Sequence, residues 1–197
     1  MKNEGFSDQE TARHPAIANH RVATLVFLMA GTMLFAGLVG GYLVLRYASG
    51  AWPSPGMPRL PVLLAGFNTA VIALSSLALH RAVRALRLLD ARGLRRWLVV
   101  SAALGVLFLG LQATQWTMLV RGGLSFTGTT YGTTFYMLTG VHAVHALTGV
   151  AWLLLIALSQ RELWVPVSRQ RNIEVCGLYW HFVGLIWLGL YVVLYLI

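Results

Sequence analysis

The chain has 197 residues, 57% of them hydrophobic and only 11% charged, with 15 basic and 6 acidic side chains. A soluble domain of this length carries about 25% charged residues, and here the acids Glu4, Asp8, Glu10, Asp90, Glu162 and Glu174 all fall in polar connections or at the end of an element. A soluble globular fold is excluded. Nucleic-acid binding is excluded too, because the net charge of +9 is spread over arginines that flank long apolar runs. The lone Cys176 cannot form an internal disulfide and reads as a packing residue.

Residues 1–21 are polar, contain three of the acids and read as a cytoplasmic tail. The run that follows, 22–46, is too long for the apolar region of a secretory signal and lacks a small-residue exit, so it is a retained transmembrane helix. A connection over 50–61, rich in Gly and Pro, turns the chain back. The second span, about 60–80, starts at Pro61, a position tolerated in a first turn. It passes into a basic stretch, 80–96, where Arg81, Arg84 and Arg87 recur every third residue with leucines between them. That pattern predicts a helix lying at or just beyond the headgroups, interrupted at Gly93. A third span covers 97–119, a fourth 131–159 and a fifth 174–197. Each reaches the roughly 20 residues that a bilayer crossing needs. The expectation is an all-α polytopic membrane protein, one domain of five helices over 22–197.

Orientation follows from the basic residues. Lys2, Arg13, Arg21, Arg81, Arg84, Arg87, Arg92, Arg95, Arg96, Arg161, Arg169 and Arg171 fall on one side, and only Arg46, Arg59 and Arg121 on the other. Short basic connections stay in the cytoplasm, which predicts N-terminus in and C-terminus out.

Polar residues inside hydrocarbon need partners and are the informative ones. The second span carries Asn68, Thr69, Ser75 and Ser76, the third Gln112, Thr114 and Gln115, the fourth Thr139, His142, His145 and Thr148, and the fifth His181. Ser and Thr are expected to bond their own helix backbone. Gln112 and Gln115 share one face and are expected to bond between helices; a polar step in a proton or water path is the functional alternative. The histidines raise the question of haem or metal ligation. With the fourth and fifth helices antiparallel, His145 is expected about 20 Å above the inner end of its helix and His181 about 9 Å above the start of its own. A mismatch near 10 Å separates them, so buried hydrogen-bonding histidines are predicted instead of ligands. Gly37 and Gly41, beside Ala36 and Gly40, form a GxxxG pair that lets another helix approach closely. No acid interrupts a span, which argues against an ion-coupled transporter.

Two C-terminal motifs carry a family resemblance. Phe135-Tyr136, Thr139-Gly140, His142 and His145 resemble the "FY-x-x-TG-x-H-x-x-H" signature of cytochrome c oxidase subunit III, and Glu174 with Tyr179-Trp180-His181-Phe182-Val183 resembles its "E…YWHFV" signature. Upstream, Met33-Leu34-Phe35-Ala36-Gly37-Leu38 with Tyr42 and Arg46, then Asn68-Thr69 with Ser75-Ser76, then Gly105, Phe108 and Gln112 are similar to successive helices of that family.

The resemblance implies a short five-helix bacterial form of a noncatalytic subunit in the inner membrane of an aerobic respiratory chain. Haem and copper would lie in partner subunits and none in this chain. The implied partners are the catalytic subunit I, subunit II and phospholipid, and the implied role is support of stability and proton uptake. Asn68, Gln112, Gln115, Thr139, His142, His145, Glu174, Trp180 and His181 are the buried or motif positions it marks, and Arg46 the residue placed to meet lipid phosphate. Three departures stand out. Relatives often have Ser-Glu at Ala30-Gly31, an acid at Gln115 and Asp at Gly184. Groups that cannot ionise cannot relay protons by changing charge, so proton buffering within the membrane is in doubt. The alternatives are a relative serving a nitric oxide reductase or quinol oxidase, a small b-type cytochrome anchor holding haem on two histidines, and a small permease.

Overall fold

The computed structural model describes residues 14–53, 56–159 and 167–197, and the side chains of all of these except 14–21 and 167–169. The described chain is helical, with no strand among the described residues: α1 (His14–Ala48), α2 (Val62–Arg87), α3 (Ala91–Arg121), α4 (Thr130–Ser159) and α5 (Val167–Tyr191), which ends in a π-helical turn, Val192–Leu196. All five are long and apolar enough to cross a membrane. Most of the 1–21 tail, and Arg161 and Glu162 in the connection before α5, lie outside the described residues.

Helices α2, α3, α4 and α5 close a ring in which each packs on the next and α5 returns to α2; α1 lies outside it, against α4 and α5. The centre is filled by Phe108, Phe135, Trp180 and Trp187 among small residues such as Ala65, Ala102, Ala146, Gly105 and Gly149. The outer surface is the reverse of a soluble protein's: Leu63, Leu155, Leu185 and Met33 are each more than two-thirds exposed. Every helix satisfies its own backbone, so such a surface faces lipid at little cost.

The basic stretch 80–96 corrects one expectation. It is no separate headgroup helix but the last two turns of α2 and the first two of α3, which continue as one antiparallel hairpin. The break falls at 88–90, where Leu89 takes a left-handed φ of 57°. Gly93 does not interrupt the helix. The Asp90 side chain accepts a bond from the Gly93 N–H at 2.9 Å and caps α3, and a Cβ at Gly93 would sit 2.2 Å from the Asp90 carboxylate. A side chain at 93 would require the Asp90 carboxylate to shift.

Candidate functional site

The polar side chains of the spans gather into a layered network inside the four-helix ring. Ser75 of α2 and Ser101 of α3 exchange bonds: Ser75 Oγ donates to the Ser101 carbonyl at 2.8 Å, and Ser101 Oγ to the Ser75 carbonyl at 3.0 Å. Trp180 Nε1 of α5 donates to Ser75 Oγ at 3.0 Å, so one hydroxyl ties three helices. The Trp180 ring lies between two glycines. A Cβ on Gly105 of α3 would approach its edge to 3.1 Å, and one on Gly149 of α4 would approach it to 2.6 Å. The indole therefore fills space that only glycine leaves free on both neighbours. Trp187 Nε1 repeats the theme two turns further along α5, donating to Thr69 Oγ1 at 3.0 Å, while Thr69 donates to the Ala65 carbonyl.

His142 is 1% exposed, and its Nε2 meets the Val183 carbonyl at 3.1 Å. The rings of Trp187, Phe108 and Phe35 surround it with centroids at 5.0, 5.8 and 6.2 Å. His145 Nδ1 contacts its own helix at the Val141 carbonyl, 2.8 Å away, and Phe35 packs on its ring. His181 Nδ1 pairs with Ser76 Oγ of α2.

The histidines are separated as expected, but for a different reason. His142 meets Val183, and the Tyr179 hydroxyl donates to the His145 carbonyl at 3.0 Å, so His181 lies at the same depth as the pair on α4. Direction keeps them apart. Residues 179 and 183 are one turn apart and face α4, whereas 181 is about 200° round the helix from either and faces α2. The depth estimate failed because α5 begins at Val167, seven residues before the expected start at 174, so His181 lies higher in its helix than a count from 174 allows. Among the described residues no group of three or more His, Cys, Asp or Glu is placed to hold a metal ion.

Farther out, Asn68 Nδ2 of α2 donates to Gln112 Oε1 of α3 at 3.4 Å, a long bond between helices. Gln115, 1% exposed, stands beside the Tyr195 hydroxyl. Thr139 donates to the Phe135 carbonyl at 2.7 Å and accepts from Trp116 Nε1 at 3.2 Å. Thr114 and Thr148 bond only their own helices. Ser75 and Ser76 depart from the expected pattern, since both bond across helices. Glu174 is exposed near the N-terminal end of α5, 3.8 Å from Arg87. Arg46 donates through Nη1 to the Tyr42 hydroxyl at 3.1 Å and through Nη2 to the Ile197 carbonyl, tying the C-terminal end of α1 to the C-terminal end of α5.

Sequence reasoning missed Ser101, Trp187 and Tyr195. Ser101 carried a usable signal, a polar residue in an apolar run; the aromatic pair carried none, because bilayer-facing Trp and Tyr have the same composition. Gly37, Gly40 and Gly41 meet nothing within 4 Å where a Cβ would point, so the GxxxG pair packs on no helix among the described residues.

A helical ring tied by hydroxyl and indole bonds between its helices, within an apolar shell, defines a multi-pass membrane protein built as a scaffold. Comparison with known proteins gives the particular family. Residues 8–197 match the family model described as "Cytochrome c oxidase subunit III". The chain is 34% identical over 200 residues to "Cytochrome c oxidase subunit 3" of Synechocystis sp., covering 99% of this chain and 83% of that one. It is 35% identical to "Probable cytochrome c oxidase subunit 3" of Nocardia farcinica, over 89% of this chain and 87% of that protein. With the Thermostichus vulcanus "Cytochrome c oxidase subunit 3" the identity is 32%, over 88% and 85%. The chain belongs to the cytochrome c oxidase subunit III family, a noncatalytic component of haem–copper oxidases that associates with other oxidase subunits.

Proposed function

We propose that this chain is the structural, lipid-binding subunit III of a haem–copper terminal oxidase in a bacterial cytoplasmic membrane, oriented N-terminus in and C-terminus out. It sits beside the catalytic subunit I, with subunit II in the same complex, and contributes to stability and to proton uptake by its neighbour. One observation carries the reading: the buried His142 side chain is engaged by a backbone carbonyl and walled in by three aromatic rings. A haem ligated at His142 would have to displace Phe108 or Trp187 from the centre of the core, which weighs against a b-type cytochrome anchor.

The absent carboxylates shape the proposal. At Gly31 a Cβ would lie 3.0 Å from the Phe182 ring, so Phe182 takes up room that a side chain at 31 would claim. Gln115 is buried as a neutral amide, and Gly184 faces Ser76 at ordinary contact distance. Support of proton uptake is therefore indirect: the chain holds a neighbour's proton entrance in place and supplies no carboxylate at these three positions. Arg46, anchored on Tyr42 at the outer end, keeps its lipid-contact role as part of this reading.

The test is affinity purification of the tagged full chain from its own membranes. The expected result is a complex containing a haem–copper catalytic subunit, whose activity decays faster during turnover when this chain is deleted, and a visible spectrum unchanged by His142→Ala. Recovery with a nitric oxide reductase or a quinol oxidase would move the assignment to that complex. A Soret band in the isolated chain that disappears in His142→Ala would replace the scaffold reading with a cytochrome.

A further inference from the structure

We infer that the inner end of the α2–α3 hairpin carries a binding site for the phosphate headgroup of an anionic phospholipid, built on Arg81, Arg96 and Trp97. The Arg81 guanidinium lies 4.8 Å from the centre of the Trp97 ring, and that of Arg96 lies 5.8 Å from the same ring. A single indole thus gathers two cations contributed by different helices, and both arginines are exposed. Neither has a carboxylate partner among the described residues, where the one ion pair joins Arg87 to Glu174. Two guanidiniums held on one ring repel each other, and a phosphate that accepts from both relieves the repulsion. The surrounding charge favours the same ligand: Arg84, Arg92 and Arg95 are exposed close by, and the only described acids at this end are Asp90, which caps α3, and Glu174.

Depth selects a lipid over a soluble anion or an acidic protein. From Val62 to residue 79 the apolar part of α2 rises about 27 Å, close to the thickness of the hydrocarbon layer. Arg81 therefore reaches the headgroup level. Trp97 begins the apolar run of α3 and, in the register set by the Ser75–Ser101 bonds, starts about 3 Å deeper than Arg81 across the hairpin. Below the clamp, an apolar stripe continues on the same faces. Leu77 lies one turn from Arg81 and is 60% exposed, and Val99 lies one turn from Arg96 and is 49% exposed. Cations at headgroup level above exposed aliphatic side chains match one molecule with an anionic head and acyl chains. This site is at the opposite end of the protein from Arg46 and does not depend on the oxidase assignment.

The test is native mass spectrometry of the full chain in detergent, offered phosphatidylglycerol or phosphatidylcholine with matched acyl chains. A juxtamembrane arginine is worth about fivefold in affinity for an anionic surface, so the pair predicts a preference for phosphatidylglycerol of about thirtyfold. Arg81→Gln with Arg96→Gln should bring the two lipids close to parity. Trp97→Leu, which keeps both charges but removes the ring that gathers them, should lose several-fold, and Arg121→Gln at the other end should change nothing. Circular dichroism checks that each variant is folded, and Trp97→Leu supplies a second route if the double variant is not. The inference is overturned if the wild type retains both lipids equally, if the double variant keeps the preference, or if Arg121→Gln abolishes it as fully. It is also overturned if an acidic peptide competes for the site while phosphatidylglycerol does not.

Discussion

Helix α1 and the α2–α5 ring are equally apolar in sequence but are held in different ways. Of the most apolar stretch of α1 only 6% of residues are buried, against 33% to 39% in the other four helices. Its firm contacts are few: Phe27 against Tyr179, Gly31 under the Phe182 ring, Phe35 against the His142 and His145 rings, Tyr42 against Trp52, and the Arg46 bonds at its C-terminal end. The ring is tied by hydroxyls and indoles that bond across helices and by glycines that admit Trp180. In a membrane, apolar surface alone gives little reason for helices to associate, because lipid tails are as apolar as leucine. Packing fit and polar bonds therefore decide which helices form a unit. By that measure α2–α5 is the unit and α1 is attached to it.

The contrast can be broken by substitution. Trp180→Ala should have the largest effect, about 3–5 kcal/mol, because it empties the space between Gly105 and Gly149 and leaves Ser75 without its indole donor; denaturant unfolding in detergent measures it. Gly149→Ala should follow with about 1–3 kcal/mol in the same assay, since the added methyl meets Trp180 at 2.6 Å. Ser75→Ala should cost about 1 kcal/mol, the scale of hydrogen bonds between membrane helices, and Ser101→Ala in the Ser75→Ala background should add less than it does alone. Gly37→Ala on α1 should have the smallest effect and the opposite sign, a gain of about 0.5 kcal/mol from helix propensity with no neighbour to strike. If Gly37→Ala costs as much as Gly149→Ala, α1 is as tightly packed as the ring and the contrast fails.

Much of the candidate site was legible before any coordinates. Asn68, Gln112, Thr139, His142 and His181 stood out as polar residues in apolar runs, and each bonds to another residue, although Asn68 Oδ1, Gln112 Nε2 and His142 Nδ1 are buried without a partner among the described residues. Partner identity was less accessible. Ser75 looked able to satisfy itself on its own helix, yet it is the junction of three. His181 seemed too low to meet the α4 histidines, yet it is level with them and turned away. The basic stretch looked like a surface helix because its arginines repeat every third residue. That spacing fits the exposed side of a protruding hairpin equally well, and the buried Ala82, Ala85 and Leu94 that distinguish the two are common in both.

Composition and the length of each apolar run were enough to establish five crossings, because the cost of burying charge in hydrocarbon acts on each segment separately. The family motifs, likewise, were present as strings. What only tertiary structure decided was pairing: which hydroxyl meets which carbonyl, which glycine admits which ring, and which helix stays at the margin. Those outcomes depend on the rotation of each helix about its axis, and that rotation is fixed by the neighbours it packs against.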